Sequence, residues 1–287
     1  MKKIAAIVLT FISLFTLTAC RVGDISVNFY APYWKYWEYS SGNEFTYNAA
    51  EITEVDINWV GGEIEIVESK NAELTVTENS AELDEGLQMH YLIDDGKLTI
   101  HYSKALCREE IDAEKKHLRV EVPEGIKIDI DSVNASIKVG EMTLGEIKLT
   151  NVSGNVELMR VVASEVTIEN VDGDILAEEI IADKFSATSV SGLLSFLKIS
   201  ANNITVTNVS GKTELGISKK SEVSITGASG NVDLKLHSNI GATVEYSTMS
   251  GTFSADMPHT TSGKTYIFGN GEINIRVETA SGNLYVS

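Results

Sequence analysis

The chain has 287 residues, 43% of them hydrophobic, and carries 41 acidic against 23 basic side chains for a formal charge of −18. So acidic a surface is repelled by nucleic acid and by anionic lipid head groups, which argues against both as partners. Three prolines, 22 glycines and the lack of any sustained three-to-four apolar spacing point to an all-β chain.

Lys2 and Lys3 precede an apolar run from Ile4 to Leu17, long enough for a signal-peptide core and short for a membrane-spanning helix. The run ends in Leu17-Thr18-Ala19-Cys20, which resembles the bacterial lipoprotein signal of a bulky residue, two small ones and a cysteine. That resemblance implies removal of residues 1–19, a lipid such as palmitate on Cys20, and an extracytoplasmic protein anchored to a bacterial membrane. A thiolate is the side chain that takes up such a group readily. A plain secretory signal with an incidental cysteine is the alternative. Cleavage removes Lys2 and Lys3 and no acid, so the charge deepens to about −20. Cys107, in the charged stretch Cys107-Arg108-Glu109-Glu110, is then left without a disulfide partner and is expected to be inert.

Residues 20–48 form an aromatic-rich segment, with nine rings between Phe29 and Tyr47. A tether, or a cap over the first coil, is the preferred reading. Stacking on sugars or settling at the membrane interface is the alternative, with Trp34, Tyr36 and Trp37 as candidate partner contacts. Residues 49–130 alternate irregularly: Val55 to Val60, Ile64 and Ile66, Leu74 and Val76, Leu98 and Ile100, and Leu118 to Val122 mark strands, with a turn at Pro123-Glu124-Gly125. This region is expected to open the same β domain that follows.

From residue 131 to 287 the chain repeats. Asn151-Val152-Ser153-Gly154 returns every 19 residues as Asn170-Val171-Asp172-Gly173, Ser189-Val190-Ser191-Gly192, Asn208-Val209-Ser210-Gly211 and Gly227-Ala228-Ser229-Gly230. Ala135 holds the same column one period earlier, and Ser250-Gly251 and Ser281-Gly282 echo it later. Apolar columns accompany the motif: Val133 to Val209, Ile137 to Leu194, Ile147 to Val223 and Leu149 to Ile225. A fixed period of this length means stacked units, none of which buries its own apolar face alone. The expected fold is a β-solenoid, a single-stranded β-helix-like stack of 19-residue coils, with glycine at tight corners and a partial Asn ladder. Asn270-Gly271, between Tyr266-Ile267-Phe268 and Ile273-Asn274-Ile275, predicts a hairpin that closes the far end.

Chemistry-bearing clusters are sparse. Asp172-Gly173-Asp174, followed by Glu178 and Glu179, is the nearest approach to a paired-carboxylate site, but no acid stacks above or below it in the regular register. The five histidines lack metal-ligand spacing, though His101 and His117 approach if their strands pair. Lys219-Lys220 interrupts the acidic field and is a candidate docking spot, with a solvated corner as the plainer reading. No catalytic residue, cofactor or metal is assigned.

The terminal motif of the lipoprotein signal, the Val-Pro-Glu-Gly turn at Val122 to Gly125, the serial Val-Ser-Gly-Asn-Val corners and Ala280-Ser281-Gly282-Asn283-Leu284 together resemble the bacterial putative-adhesin family, over roughly residues 50–287. These are β-strand-repeat domains of unknown function, and the resemblance carries no catalytic residues over. It implies a non-enzymatic envelope protein, an adhesin-like binder or scaffold with an envelope protein or glycan as partner. An accessory role in envelope-stress sensing is the alternative, and a polysaccharide-active β-helix enzyme ranks below both.

Overall fold

The computed structural model describes residues 35–79, 83–104, 116–237 and 240–287. Cys20, Trp34 and Cys107 lie outside them. Among the described residues every regular element apart from two single-turn 3-10 helices is a strand, and these strands hydrogen-bond into one continuous all-β sheet.

The opening part comprises β1 (Ser40–Gly42), β2 (Glu44–Asn48), β3 (Glu54–Glu68), β4 (Glu73–Glu78), β5 (Met89–Asp94), β6 (Lys97–His101) and β7 (His117–Val122). The regular part runs through β8 (Lys127–Val139), β9 (Met142–Thr143), β10 (Glu146–Ser153), β11 (Val156–Met159), β12 (Val161–Asp172), β13 (Ile175–Glu178) and β14 (Ile181–Ser191). It continues in β15 (Leu194–Ser210), β16 (Thr213–Ile217), β17 (Glu222–Ser229) and β18 (Val232–Leu236). The closing part is β19 (Ala242–Ser250), β20 (Phe253–Ala255), β21 (His259–Ser262), β22 (Thr265–Phe268), β23 (Ile273–Ser281) and β24 (Leu284–Val286).

In the regular part, up to β16, each strand pairs in parallel with the one 19 residues later, while β17 and β18 pair with β23 and β24. Asn151 lies beside Asn170, Asn170 beside Ser189 and Ser189 beside Asn208, and Val156, Ile175 and Leu194 line up on the second face. The result is β-solenoid-like, as the period predicts. Alternation turns Ile147, Val166, Phe185 and Ile204 inward, with Leu149, Ile168, Ala187 and Val206 beside them, all essentially inaccessible to solvent. Ala187 is the small member of its column where Phe185 is the large member of the other. Phe185 meets Phe196 edge-on at 5.0 Å, so large and small side chains interdigitate across the coil.

Two kinds of corner close each coil. Gly192 has φ +125, and a Cβ there would stand 2.2 Å from the carbonyl oxygen of Gly173. Only glycine permits both the backbone angle and so close a stacking. At the next corner the left-handed conformation falls on Arg160, Glu179 and Lys198, again 19 apart. Here stacked charges oppose one another: Arg160 reaches Glu141 at 3.0 Å and Lys198 reaches Glu179 at 2.6 Å.

Two expectations need correction. The Val152, Val171, Val190 and Val209 column stacks as predicted but faces outward and is only half-buried, whereas Asn151 and Asn170 point inward with no exposed surface. The reversal has a cause. Asn170 Nδ2 donates to the carbonyls of Gly154 at 3.1 Å and Gly173 at 3.2 Å, so a buried amide ties two corners together. The amides therefore bond to backbone rather than to one another. Second, Asn270-Gly271 does not join a hairpin pair: β22 runs antiparallel to β19 and β21, while β23 pairs in parallel with β17 and β19. The tight hairpin is one turn earlier, at Gly263-Lys264, where Gly263 adopts φ +62. Within the aromatic segment, Phe45 and Tyr47 sit in β2, which pairs with β4 and packs against the core.

Candidate functional site

The residues singled out from sequence do not converge. Tyr36 and Trp37, at the N-terminal end of the stack, are 43% and 57% exposed and meet edge-on at 5.5 Å. Lys219 and Lys220 lie far along the chain in the bend before β17, and Ser221 Oγ donates to the Lys219 carbonyl, as a corner requires. His101 pairs with His90 across β5 and β6, not with His117. Burial, reinforced by the neighbouring His90, pushes the His101 imidazole down to about 4.

The acids of Asp172-Gly173-Asp174 are both engaged in rung-to-rung bonds. Asp172 Oδ1 accepts from Ser191 Oγ at 2.8 Å, and Asp174 Oδ1 accepts from the Leu193 backbone N–H at 2.8 Å. Asn155 does the same for the Asp174 N–H one rung earlier at 3.0 Å. This corner column is thus a series of side-chain caps on successive backbones. Among the described residues no group of three or more His, Cys, Asp or Glu side chains is placed to hold a metal ion.

The feature with the shape of a binding site is one that residue-by-residue reading missed. On the outer face of β15, β17, β23 and β19 a shallow groove of about 450 Å³ opens. Its origin lies in two outward columns. Early in the stack these columns hold long charged pairs: Lys127 with Glu146 at 3.7 Å, Asp129 with Lys148 at 3.5 Å, and Glu165 with Lys184. The second column shortens already at Thr167 and Ser186, and the first loses its lysines after Lys184. The first column continues as Asn203, Glu222, Asn274 and Thr243, and the second as Thr205, Ser224, Arg276 and Glu245, all lining the groove. Buried Ile204, Val223 and Ile275 form its floor.

The groove's electrostatics are asymmetric. Arg276 is neutralised by Glu278, Nε to Oε1 at 2.8 Å. Glu222 and Glu245 have no ion-pair partner among the described residues, and their backbones are separated by two rungs, roughly 10 Å. What remains is hydroxyls, amides and two uncompensated carboxylates. The signal in the sequence was the loss of lysine after Lys184 from columns that 19-residue alignment already defines, but the last two rungs fall out of that alignment.

None of the curated proteins matches this chain. Solved structures similar to it include a putative adhesin from Bacteroides fragilis, 13% identical over 85% of this chain and 96% of that one, with a TM-score of 0.48. A putative adhesin from Parabacteroides distasonis is 13% identical over 84% and 95% of the two chains, TM-score 0.43. A putative lipid binding protein from the same organism is 16% identical over 86% and 98%, TM-score 0.42. The family match covers nearly all of the described stack, from residue 52 to residue 287, and on it the chain belongs to the Toastrack DUF4097 family.

Proposed function

We propose that this chain is a non-enzymatic cell-envelope lipoprotein, carried on lipidated Cys20 outside the cytoplasm, and that its single-stranded β-helix-like stack of 19-residue coils is an adhesin-like scaffold for an envelope or extracellular partner. The observation that carries this reading is the groove on the 203/222/274/243 face. It is a polar concavity on a rigid parallel sheet, where side-chain geometry is fixed by the rungs beneath. Catalysis finds less support. The two unpaired groove carboxylates stand on backbones roughly 10 Å apart with Arg276 on the strand between them, and the other candidate acids cap neighbouring rungs.

The test uses the chain from Arg21 onward, purified without its lipid, applied to whole envelope fractions of the source bacterium. Saturable retention supports the binding reading, and no retention on any fraction removes it. The anchor is tested separately by labelling with radioactive palmitate. Label should follow the wild type and vanish with Cys20→Ala, and a wild-type chain that takes up none removes the lipoprotein reading.

A further inference from the structure

We propose that the groove on β15, β17, β23 and β19 binds a saccharide chain bearing free amines, a polymer of amino sugars, laid across the rungs. This deepens the binding reading above and rests on it. Three observations narrow the ligand.

The first is what the groove offers. Its walls are side-chain hydroxyls and amides from Thr205, Ser224, Asn203 and Asn274, groups that both donate and accept and so match the hydroxyls of a sugar ring. Because the strands beneath are parallel and in register, those groups repeat at about 4.8 Å intervals, which suits a ligand that is itself a repeating chain.

The second is what it withholds. A peptide recognised by strand addition needs an open sheet edge. All four strands here are paired on both sides: β15 with β14 and β17, β17 with β15 and β23, β23 with β17 and β19, and β19 with β23 and β22. Along the groove, at 203–205, 222–224, 274–276 and 243–245, no strand edge is open to a peptide, so recognition there falls to side chains.

The third is charge. With Arg276 neutralised by Glu278, the groove's surplus is Glu222 and Glu245. Upstream in the same columns a lysine answers each acid, in Lys127 with Glu146 and Lys184 with Glu165. In the groove the acids stay while the lysines are gone, and the cation that is present, Arg276 beside Glu245, is bonded to Glu278, so a cationic ligand meets two carboxylates that hold no ion pair among the described residues. Anionic glycans are repelled both by these carboxylates and by the overall charge of −18. An ammonium on a sugar ring supplies the missing partner, and the neighbouring hydroxyls supply the rest.

The experiment measures binding of the chain from Arg21 onward to glucosamine hexasaccharide, its N-acetylated counterpart and hexalysine, by calorimetry at low and moderate salt. The expected result is saturable binding of the glucosamine oligomer, weakening with salt, and tenfold or more weaker binding of the other two. Glu222→Gln with Glu245→Gln should lose at least tenfold for the glucosamine oligomer with an unchanged melting temperature. Ser224→Tyr, which places a ring from the wall into the groove without altering charge, should lose binding as well. Equal binding by the double variant, equal binding of the acetylated oligomer, or equal binding of hexalysine each overturns the proposal. A chain retained on envelope fractions that ignores glucosamine oligomers leaves the binding reading standing and removes this one, whereas a chain that does neither removes both.

Discussion

Between Lys127 and Leu236 each rung lies on its neighbour in sequence, whereas at both ends of the stack one rung is laid out of order. At the start β3 sits between β8 and the later β6 and β7, and at the finish β23 slips between β17 and the earlier β19. Both ends then reverse direction. β5 and β1 on one face and β4 and β2 on the other run antiparallel at the start, as β22 and β21 do at the finish. Each end is also sealed by stacked rings, Phe45 on Tyr91 at 3.7 Å and Phe253 on Tyr266 at 3.5 Å. The middle is a pattern that any number of rungs could continue, including rungs from another molecule. Threading, reversal and an aromatic plug are what stop it, since a parallel edge left open is a template for aggregation.

The sharpest way to break this contrast is at a corner glycine. Gly192→Ala places a methyl 2.2 Å from the Gly173 carbonyl at φ +125, and the rung below has no way to retreat without disturbing the next. A loss of about 4 kcal/mol or more is expected. Gly125→Ala, at φ +80 in the turn before β8 with nothing within 4 Å, should cost about 1 kcal/mol. Urea denaturation of the two variants measures the difference, and equal losses would mean that close stacking does not govern the middle.

Phe45→Ala tests the end. Removing the ring that lies on Tyr91 exposes the terminal core and should cost about 3 kcal/mol. Hydrogen exchange should quicken in β1, β2, β4 and β5 while β10 to β17 keep their protection. Exchange that rises throughout would show that the stack and its cap unfold as one unit.

Acid provides a reversible version of the same test. His101 is held neutral by burial, with a folded value near 4 against about 6.5 for a free imidazole. The unfolded chain therefore takes up a proton first. Stability contributed by the neutral ring is complete above about 6.5, falls as pH drops toward 4 and falls no further below it. The expected loss is on the order of 2 kcal/mol, discounted for partial exposure, and burial moves His90 in the same direction. His101→Phe should flatten the profile between those two values.

Much of this architecture was legible. The 19-residue period fixes the register of the middle because like residues must stack for the corner glycines to nest, and Gly154 to Gly230 do so. At the far end the echoes at Ser250-Gly251 and Ser281-Gly282 do join the corner column, but the order of the rungs was not legible. Gly282 stacks on Gly230 and Gly251 stacks on Gly282, so the glycine column persists while its spacing in sequence vanishes. The groove was hidden for the same reason, since half of its lining comes from β23 and β19, whose order in space is the reverse of their order in the chain.

The inward Asn and outward Val columns show where hydrophobicity alone misleads. Asn170→Ala strips two hydrogen bonds from the corners of Gly154 and Gly173, of which the Gly154 carbonyl keeps only Asn151 Nδ2 at 3.3 Å, an expected loss of about 2 kcal/mol. Asn170→Ser should lose less, because Ser189 fills the equivalent place one rung on and bonds the Ser191 carbonyl at 3.1 Å.

The smallest effect belongs to the valines. Val190 stands on the outer surface between Val171 and Val209, half-buried by its vertical neighbours. Val190→Thr keeps the β-branched shape and the contacts up and down the column, and its hydroxyl meets water rather than core. A change within about 0.5 kcal/mol is expected, although hydropathy ranks this substitution as more damaging than the loss of an asparagine. Comparing the melting temperatures of Val190→Thr and Asn170→Ala tests the inverted columns directly. If the valine variant melts lower, the ladder of buried amides is not what holds the corners together.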